Sequence, residues 1–246
     1  NPGKPVRTTH NGRSAAASED PTAKNARERG MPRGPRQVLE GVPHHVVLRG
    51  NNRRRLFSYP RDYLFFIGLM DRHLSSSELG LHALCLMPNH VHLLLTPFQE
   101  RALAAFIKKV AQRYAQVRNK RYGGTGKLFE QRYYSRPTQS EKHLAIATAY
   151  IDLNPVRAHL VEDGNEYQWS THRIHCGMAC RTRSLDSLWS PSDWYRRLAH
   201  DPDGQAIAYR EWIADCGARD GWDGVWPRSW TRCSARLPRA PAWSTS

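Results

Sequence analysis

Residues 79–97, LGLHALCLMPNHVHLLLTP, form two apolar runs that are separated only by Pro88 and Asn89. Leucine is the commonest residue of both runs, whereas Pro and Asn favour tight turns. Two strands that are joined by so short a connection can pair only in the antiparallel direction. The stretch therefore predicts a β-hairpin, and with it an antiparallel sheet.

The second strand of this hairpin carries His90 and His92, two residues apart. Side chains alternate between the faces of a strand, so both histidines project from one face and Val91 from the other. Two imidazoles on one face can form half of a metal site, or they can be polar residues on a solvated strand face. Zinc would require further Cys, His or carboxylate ligands, whereas Mn²⁺ or Mg²⁺ would accept fewer protein ligands together with water and a phosphate oxygen.

Outside this hairpin, the sequence alternates between stretches with the apolar period of a strand and stretches with that of a helix. A β-branched run at 44–50 predicts a first strand, a helical apolar spacing from Pro60 predicts a helix, and the apolar stripe within 99–122 predicts a longer helix that GGTG ends. Residues 127–138 predict a fourth strand, and a helix is expected to start after the capping Ser140. The order β-α-β-β-α-β-α predicts an α+β fold, a ferredoxin-like split βαβ antiparallel sheet with helices on one face.

Composition divides the chain into four segments. Residues 1–37 contain almost no large apolar residues, so we expect a disordered N-terminal extension, in which Met31 is an alternative start. Residues 38–176 form the ferredoxin-like domain, and 177–218 predict a small helical C-terminal extension. Residues 219–246 mix Gly, Trp, Pro and Arg in a way that predicts a disordered tail.

The chain is strongly basic, with 37 Lys and Arg against 22 Asp and Glu, a net charge of +15 and a pI near 10.1. This balance favours an anionic partner, nucleic acid first and a membrane surface second, although a solvated basic surface would look the same. No apolar stretch reaches the length of a membrane span, and the N-terminal residues lack a signal-peptide core. The odd number of cysteines and the absence of a CxxC pair argue against a disulfide framework and a zinc ribbon, so a cytoplasmic location is expected.

Three groups of side chains are candidates for DNA binding, each with a solvated surface as the alternative. A donor-rich loop follows the first strand, and cations line the long helix. Cations interleave with Tyr133 and Tyr134 in the fourth strand, a mixture that suits stacking on unpaired bases. The candidates are Arg49, Asn51, Asn52, Arg53, Arg54 and Arg55 in the loop, Lys109, Arg113 and Lys120 on the helix, and Arg132 and Arg136 near the strand.

Tyr150 and Asn154 are four residues apart in the last predicted helix, so they share a face about one turn apart. Asn154 could offer an amide oxygen to a metal ion, and Tyr150 could place a phenol beside it. A phenol becomes a useful nucleophile when a metal ion polarises the phosphate that it attacks. The alternative is a tyrosine that packs on the sheet and an asparagine that caps a helix end.

Several separated motifs together resemble one protein family. MPNHVHLLLTP, AYIDLNPVRAHLV and YQWST occur in the same order as in the REP-associated tyrosine transposases, a branch of the single-tyrosine HUH superfamily. HHVVLRGNNRRRLF and GKLFEQRYYS are similar to the family's first strand and to the segment before its tyrosine helix. The resemblance covers about Met31 to Cys176, and it weakens in the C-terminal part.

This resemblance implies a metal-dependent endonuclease and strand transferase for single-stranded DNA near palindromic hairpins. It implies Tyr150 as the nucleophile that forms a 5′-phosphotyrosine link, and His90, His92 and Asn154 as ligands of Mg²⁺ or Mn²⁺. Arg157 matches the family motif as well, and we interpret it as a phosphate-facing cation. A monomer is expected from this branch. Two alternatives remain: a palindrome-binding protein without catalysis, and a metal-dependent phosphodiester hydrolase without a covalent step.

Overall fold

The computed structural model describes residues 38–130, 132–182 and 184–217, together with Gly3. All elements described below belong to one compact unit that begins at Gln37. The disorder expected for 1–37 and 219–246, and the alternative start at Met31, lie outside the described residues apart from Gly3.

Four strands form a single antiparallel sheet. They are β1 (His44–Arg49), β2 (Leu79–Met87), β3 (His90–Pro97) and β4 (Tyr134–Pro137), in the spatial order β2-β3-β1-β4. The predicted hairpin is confirmed, because β2 and β3 pair in the register Met87 to His90 across the turn at Pro88 and Asn89. This strand order is that of a split βαβ unit, so the predicted ferredoxin-like class is confirmed.

The fourth strand is shorter than the predicted stretch of 127–138. Its partner β1 ends at Arg49 and continues into a 3₁₀ turn, Asn51–Arg53. The ladder between β1 and β4 stops at the pair of Val47 and Tyr134, although β1 continues to Arg49. Pairing resumes in a shifted register, in which the Glu130 N–H donates to the Arg49 carbonyl and Phe129 forms an isolated bridge with Gly50. An alternating pattern cannot reveal this limit, because it depends on the register with the neighbouring strand.

Three helices pack on the sheet, and each begins or ends where the sequence predicts. They are α1 (Pro60–Leu74), α2 (Ala102–Tyr122) and α3 (Glu141–Asp152), and α1 and α2 contact each other. Gly123 ends α2 in a left-handed conformation with a φ of 62°. The Ser140 side chain caps α3 by accepting a 3.3 Å hydrogen bond from the His143 N–H.

The helices are divided between the two faces of the sheet. Val46, Leu48, Val91 and Leu93 point to one face, where they are buried in the core under α1 and α2. The Tyr150 ring of α3 contacts the rings of two histidines that point to the other face. The predicted placement of helices on one face therefore holds for α1 and α2. The helix α3 covers the other face, which carries His45 and His92 and which we call the histidine face.

The residues after α3 add short helices along the free edge of β2. These are α4 (Asn154–Arg157), α5 (His172–His175), α6 (Ser184–Leu188), α7 (Asp193–Arg196) and the longer α8 (Pro202–Gly217). The last three lie within 177–218, the extension that the sequence predicts to be helical. The Leu86 N–H donates to the Trp169 carbonyl at 2.9 Å, which continues the hydrogen bonding of the sheet. Trp169 also stacks on Tyr63 with ring centroids 4.5 Å apart, as expected for a packing residue.

Candidate functional site

The two histidines of the hairpin lie together at the start of β3. Their ring centroids are 4.7 Å apart, and Val91 between them is fully buried on the opposite face. His92 is buried and His90 is half-buried. The period of the strand has therefore produced the pair that the sequence predicts.

Each histidine has a hydrogen-bond partner at Nδ1. The His90 Nδ1 lies 2.7 Å from the Asn89 Oδ1, and the His92 Nδ1 lies 2.9 Å from the Nε2 of His45 in β1. Because an amide oxygen can only accept, His90 donates from Nδ1 and keeps a lone pair on Nε2. The His92 Nε2 is buried, and no hydrogen-bond partner for it exists among the described residues.

Burial keeps these imidazoles uncharged. It lowers the pKa of His90 to about 4, helped by the nearby Arg49 cation and opposed by a hydrogen bond with Asn154. It also lowers the pKa of His45 to about 3 and the pKa of His92 well below its usual value, since these rings would repel each other if charged. Neutral imidazole is the form that binds metal ions.

Tyr150 lies in the last turn of α3, above this pair. Its ring centroid is 5.5 Å from that of His92 and 5.8 Å from that of His45. The ring is half-buried, which leaves the phenol within reach of solvent or a bound strand. The structure therefore brings the predicted nucleophile together with the predicted ligands.

Asn154 lies beside them, although not on the same helix as Tyr150. We predicted one continuous face, but α3 ends at Asp152 and Asn154 begins α4. Pro155 has no N–H to continue the ladder, and it disfavours a helical residue before it. Asn154 nevertheless lies about one turn from Tyr150, because the Asn154 Nδ2 donates a 3.1 Å hydrogen bond to the Tyr150 carbonyl. This bond uses the amide nitrogen, so Oδ1 is the atom that can act as a ligand.

These side chains fit a divalent cation that takes few protein ligands. They offer two imidazole Nε2 atoms and one amide oxygen, and the orphaned Nε2 of His92 is a buried polar atom for which a cation would be a partner. In the described part of the chain, no group of three or more His, Cys, Asp or Glu residues is arranged to hold a metal ion. The set is thus suited to Mn²⁺ or Mg²⁺ with water and a phosphate oxygen, rather than to a closed zinc site.

Two cations flank the tyrosine and the histidines. The guanidinium carbon of Arg157 lies 4.9 Å from the centroid of the Tyr150 ring. Arg49 is directly opposite His90 in the sheet register and so shares its face. Arg136 of β4 is opposite His45 and shares this face as well, where its side chain is exposed.

The basic loop after β1 contacts the hairpin turn beside His90. The Gly50 N–H donates to the Asn89 carbonyl at 2.9 Å, and Asn52 and Arg53 adopt left-handed φ angles of 53° and 56°. A Cβ on Gly50 would lie 2.1 Å from the Arg54 carbonyl oxygen, so only glycine allows this turn. The loop exposes three polar side chains near the histidines, namely Asn52, Arg53 and Arg55.

The remaining candidates are not brought to the histidines. Lys109, Arg113 and Lys120 are exposed on α2, the helix on the other face of the sheet. Arg132 is exposed in the segment that precedes β4. These residues could contact DNA only where it extends beyond the immediate site.

Sequence reasoning missed two buried polar residues close to the predicted site, His45 and Asp152. His45 is 1% exposed although it belongs to an apolar strand, and Asp152 is completely buried at the end of α3. The only available signal was a polar residue inside an apolar run, in HHVV and AYIDL. Such residues are retained where a specific partner satisfies them.

No helix among the described residues is long and apolar enough to cross a membrane. The family model of IS200-like transposases matches residues 39–154, a range that contains the histidine pair, Tyr150 and Asn154. No curated protein matches the chain.

One similar solved structure is a REP-associated tyrosine transposase bound to a REP hairpin, with a TM-score of 0.52, 14% identity, and 66% of this chain and 93% of that chain covered. At this identity the likeness concerns the fold. A Deinococcus radiodurans protein described as a candidate transposase has 22% identity and a TM-score of 0.35, covering 49% of this chain and 95% of that one. The sheet and the motifs that it brings together agree with this match, and residues 39–154 of this chain are similar to the IS200-like transposases.

Proposed function

We propose that this protein cleaves and rejoins single-stranded DNA next to palindromic hairpins through a covalent link to Tyr150. The observation that carries the proposal is the convergence of Tyr150, His90, His92 and Asn154, from a hairpin and a helix end, on one face of the sheet. The Tyr150 ring packs partly on the core, and it lies beside a pair of neutral imidazoles. This arrangement suits an attack of the phenol on a phosphodiester.

In the cleavage step, the phenolic oxygen of Tyr150 forms a bond to phosphorus, and the bond between phosphorus and the 3′ oxygen breaks. The phenolic proton ends, in net terms, on the departing 3′-OH, and the 5′ end remains linked to the tyrosine. Attack by a 3′-OH on this link reverses the step and joins two strands. Because one phosphodiester is exchanged for another ester, no external energy source is needed.

The chain's own cations have separate roles in this scheme. Arg157 lies over the Tyr150 ring and would stabilise the negative charge that develops on the phenolic oxygen. Arg49, on the face of His90, would hold a phosphate oxygen of the bound strand. Both effects are electrostatic, and they gain strength because the site is partly shielded from water.

His90, His92 and Asn154 would hold Mg²⁺ or Mn²⁺. Such an ion, when bound, neutralises a non-bridging oxygen of the scissile phosphate and makes phosphorus more electrophilic. The neutral state of the two histidines and the free Nε2 of His92 support this assignment.

Basic surfaces around the site would bind the DNA. The net charge of +15, and the structural similarity to a transposase that is bound to a REP hairpin, support a palindromic hairpin with single-stranded flanks as substrate. Exposed side chains on the histidine face would hold the strand at Tyr150, and those on α2 would follow a stem. Action as a monomer, in the cytoplasm, is part of the proposal.

The test uses a labelled single-stranded hairpin from the palindromic repeats of the source genome. Wild type and the Tyr150→Phe, His92→Ala and Tyr134→Phe variants are incubated with it, with and without Mn²⁺, and denaturing gels separate cleaved and protein-linked DNA. We expect a metal-dependent adduct that is lost in Tyr150→Phe and His92→Ala and retained in Tyr134→Phe, whose tyrosine is exposed on β4.

Other outcomes would identify the alternatives. Cleavage that persists in Tyr150→Phe without an adduct would replace the covalent mechanism with metal-dependent hydrolysis. Hairpin binding without cleavage of any strand would indicate a palindrome-binding protein that does not catalyse transfer.

A further inference from the structure

His45 is a buried polar side chain that directly contacts His92 without belonging to the proposed ligand set. It lies in β1, 47 residues before His92, and its Nε2 is 2.9 Å from the His92 Nδ1. The two rings are stacked, with centroids 5.1 Å apart and planes inclined by 24°. A buried bond between two side chains so far apart in sequence fixes the orientation of the His92 ring.

This bond has two possible directions, with different chemical consequences. A neutral imidazole carries one N–H and one lone pair. If His92 donates from Nδ1, its Nε2 presents a lone pair to the site. If His45 donates from Nε2 instead, the His92 Nε2 carries the hydrogen and cannot bind a cation.

His90 shows which direction agrees with the site. Its Nδ1 donates to the Asn89 Oδ1 at 2.7 Å, so its Nε2 is left as the lone-pair atom. Metal-binding histidines generally donate their second N–H in this manner, and the partner sets both tautomer and ring orientation. His45 is the hydrogen-bond partner of the His92 Nδ1, as Asn89 is the partner of the His90 Nδ1.

We propose that His45 is a positioning residue, which accepts the His92 Nδ1–H and so presents the His92 Nε2 lone pair to a divalent cation. The inference rests on the proposed function, since it takes His92 as a metal ligand. It adds a residue outside the set of His90, His92 and Asn154, and it makes β1 part of the site. A structural role alone would need the contact between the rings but not this direction of the bond.

The first test measures Mn²⁺ binding to the full chain without DNA, by titration calorimetry and by the electron paramagnetic resonance of free Mn²⁺. The variants are His45→Phe, which keeps a ring but removes the acceptor, and His45→Gln, whose amide oxygen can take the place of Nε2. We expect Mn²⁺ affinity to fall about 10–100-fold in His45→Phe, the range found for partners of metal ligands, and to recover to within a few-fold of wild type in His45→Gln.

His92→Ala separates a failure of this inference from a failure of the proposed function. If His92→Ala loses Mn²⁺ binding while His45→Phe keeps it, His45 has no positioning role and the proposed site stands. If His92→Ala binds Mn²⁺ like wild type, the metal site itself is wrong, and the role of His45 is refuted with it. Equal losses in His45→Gln and His45→Phe would reduce His45 to a packing residue.

A second measurement needs no substitution at position 45, and so does not depend on whether His45→Phe folds. Long-range ¹H–¹⁵N correlation spectra of histidine-labelled wild type report directly which ring nitrogen carries the hydrogen, and His92→Ala assigns the signals. We expect the Nδ1–H tautomer for His92 in the metal-free protein. An Nε2–H tautomer would overturn the proposal.

Discussion

The Tyr209 hydroxyl donates a 2.6 Å hydrogen bond to the buried carboxylate of Asp152, two residues after the proposed nucleophile. The His175 Nδ1 lies 2.7 Å from the same oxygen, and the His172 Nδ1 lies 3.6 Å from it. A carboxylate without solvent contact is stable only with such partners. The C-terminal extension therefore holds the end of the tyrosine helix in place from within the same chain.

Tyr209→Phe should destabilise the fold by removing a donor from this buried charge. We expect a loss of about 1.5–3 kcal/mol in the free energy of unfolding, the usual range for hydrogen bonds to charged groups. Urea denaturation measures it. Tyr195→Phe is the matched control, because Tyr195 is also buried but donates to a neutral carbonyl, that of His175. Equal losses in the two variants would show that the hydrogen bond from Tyr209 to the Asp152 carboxylate stabilises the fold no more than a hydrogen bond to a neutral carbonyl.

His172 should make stability fall at alkaline pH. Burial by itself would lower the pKa of His172, but pairing with Asp152 and contact with Cys176 raise it from 6.5 to about 10. A raised pKa in the folded state contributes stability that is full below pH 6.5 and is lost as the pH rises towards 10. The slope in that window should be at most about 1.4 kcal/mol per pH unit, the value for one proton. Urea denaturation between these limits should show this slope in wild type and a flatter one in His172→Gln, and identical slopes would contradict the pairing.

Arg157→Ala should slow chemistry more than it weakens DNA binding. Its guanidinium lies over the Tyr150 ring, where under the proposed mechanism it would stabilise charge on the phenolic oxygen in the transition state. We expect the single-turnover cleavage rate to fall on the order of 10²-fold, the magnitude seen when one such donor is removed. Gel-shift titration of the same hairpin checks binding. A loss of affinity that accounts for the whole rate effect would assign Arg157 to phosphate contact only.

The two sets of basic residues should bind different parts of the DNA. Arg49 and Arg136 lie on the histidine face, whereas Lys109, Arg113 and Lys120 are exposed on α2 at the other face. Substituting the three α2 residues by alanine should weaken binding of a hairpin and leave an unstructured strand unaffected. Arg49→Ala and Arg136→Ala should weaken binding of both the hairpin and the unstructured strand. For each lost phosphate contact, the slope of log K against log salt concentration should become shallower by about one. A uniform loss for both DNA forms in the α2 variant would contradict this division.

Gly50→Ala should displace the basic loop. The added Cβ would meet the Arg54 carbonyl oxygen at 2.1 Å, so the turn that packs on Asn89 must open. We expect a loss of about 1–3 kcal/mol, as for other overpacked sites, and weaker DNA binding. Gly68→Ala in α1 is the control, because no atom lies within 4 Å of its added Cβ and a helix interior gains about 0.5–1 kcal/mol from this change. Unaltered stability in Gly50→Ala would mean that the loop relaxes without strain.

The sequence determined those features that depend on local periodicity. The hairpin around Pro88 and Asn89 and the common face of His90 and His92 follow from the two-residue repeat of a strand, which short stretches express by themselves. The order of elements likewise constrained the topology, because few ways exist to pair four strands in a split βαβ fold.

Only the tertiary structure decided which distant residues join the site. His45 reaches His92 through the pairing of β1 with β3, and Tyr209 reaches Asp152 through the packing of α8. The pairing of β1 with β3 and with β4 puts Arg49 and Arg136 on the histidine face, and it limits β4 to Tyr134–Pro137. Register and packing depend on the sum of many contacts between separated segments, so no local pattern could reveal these partners.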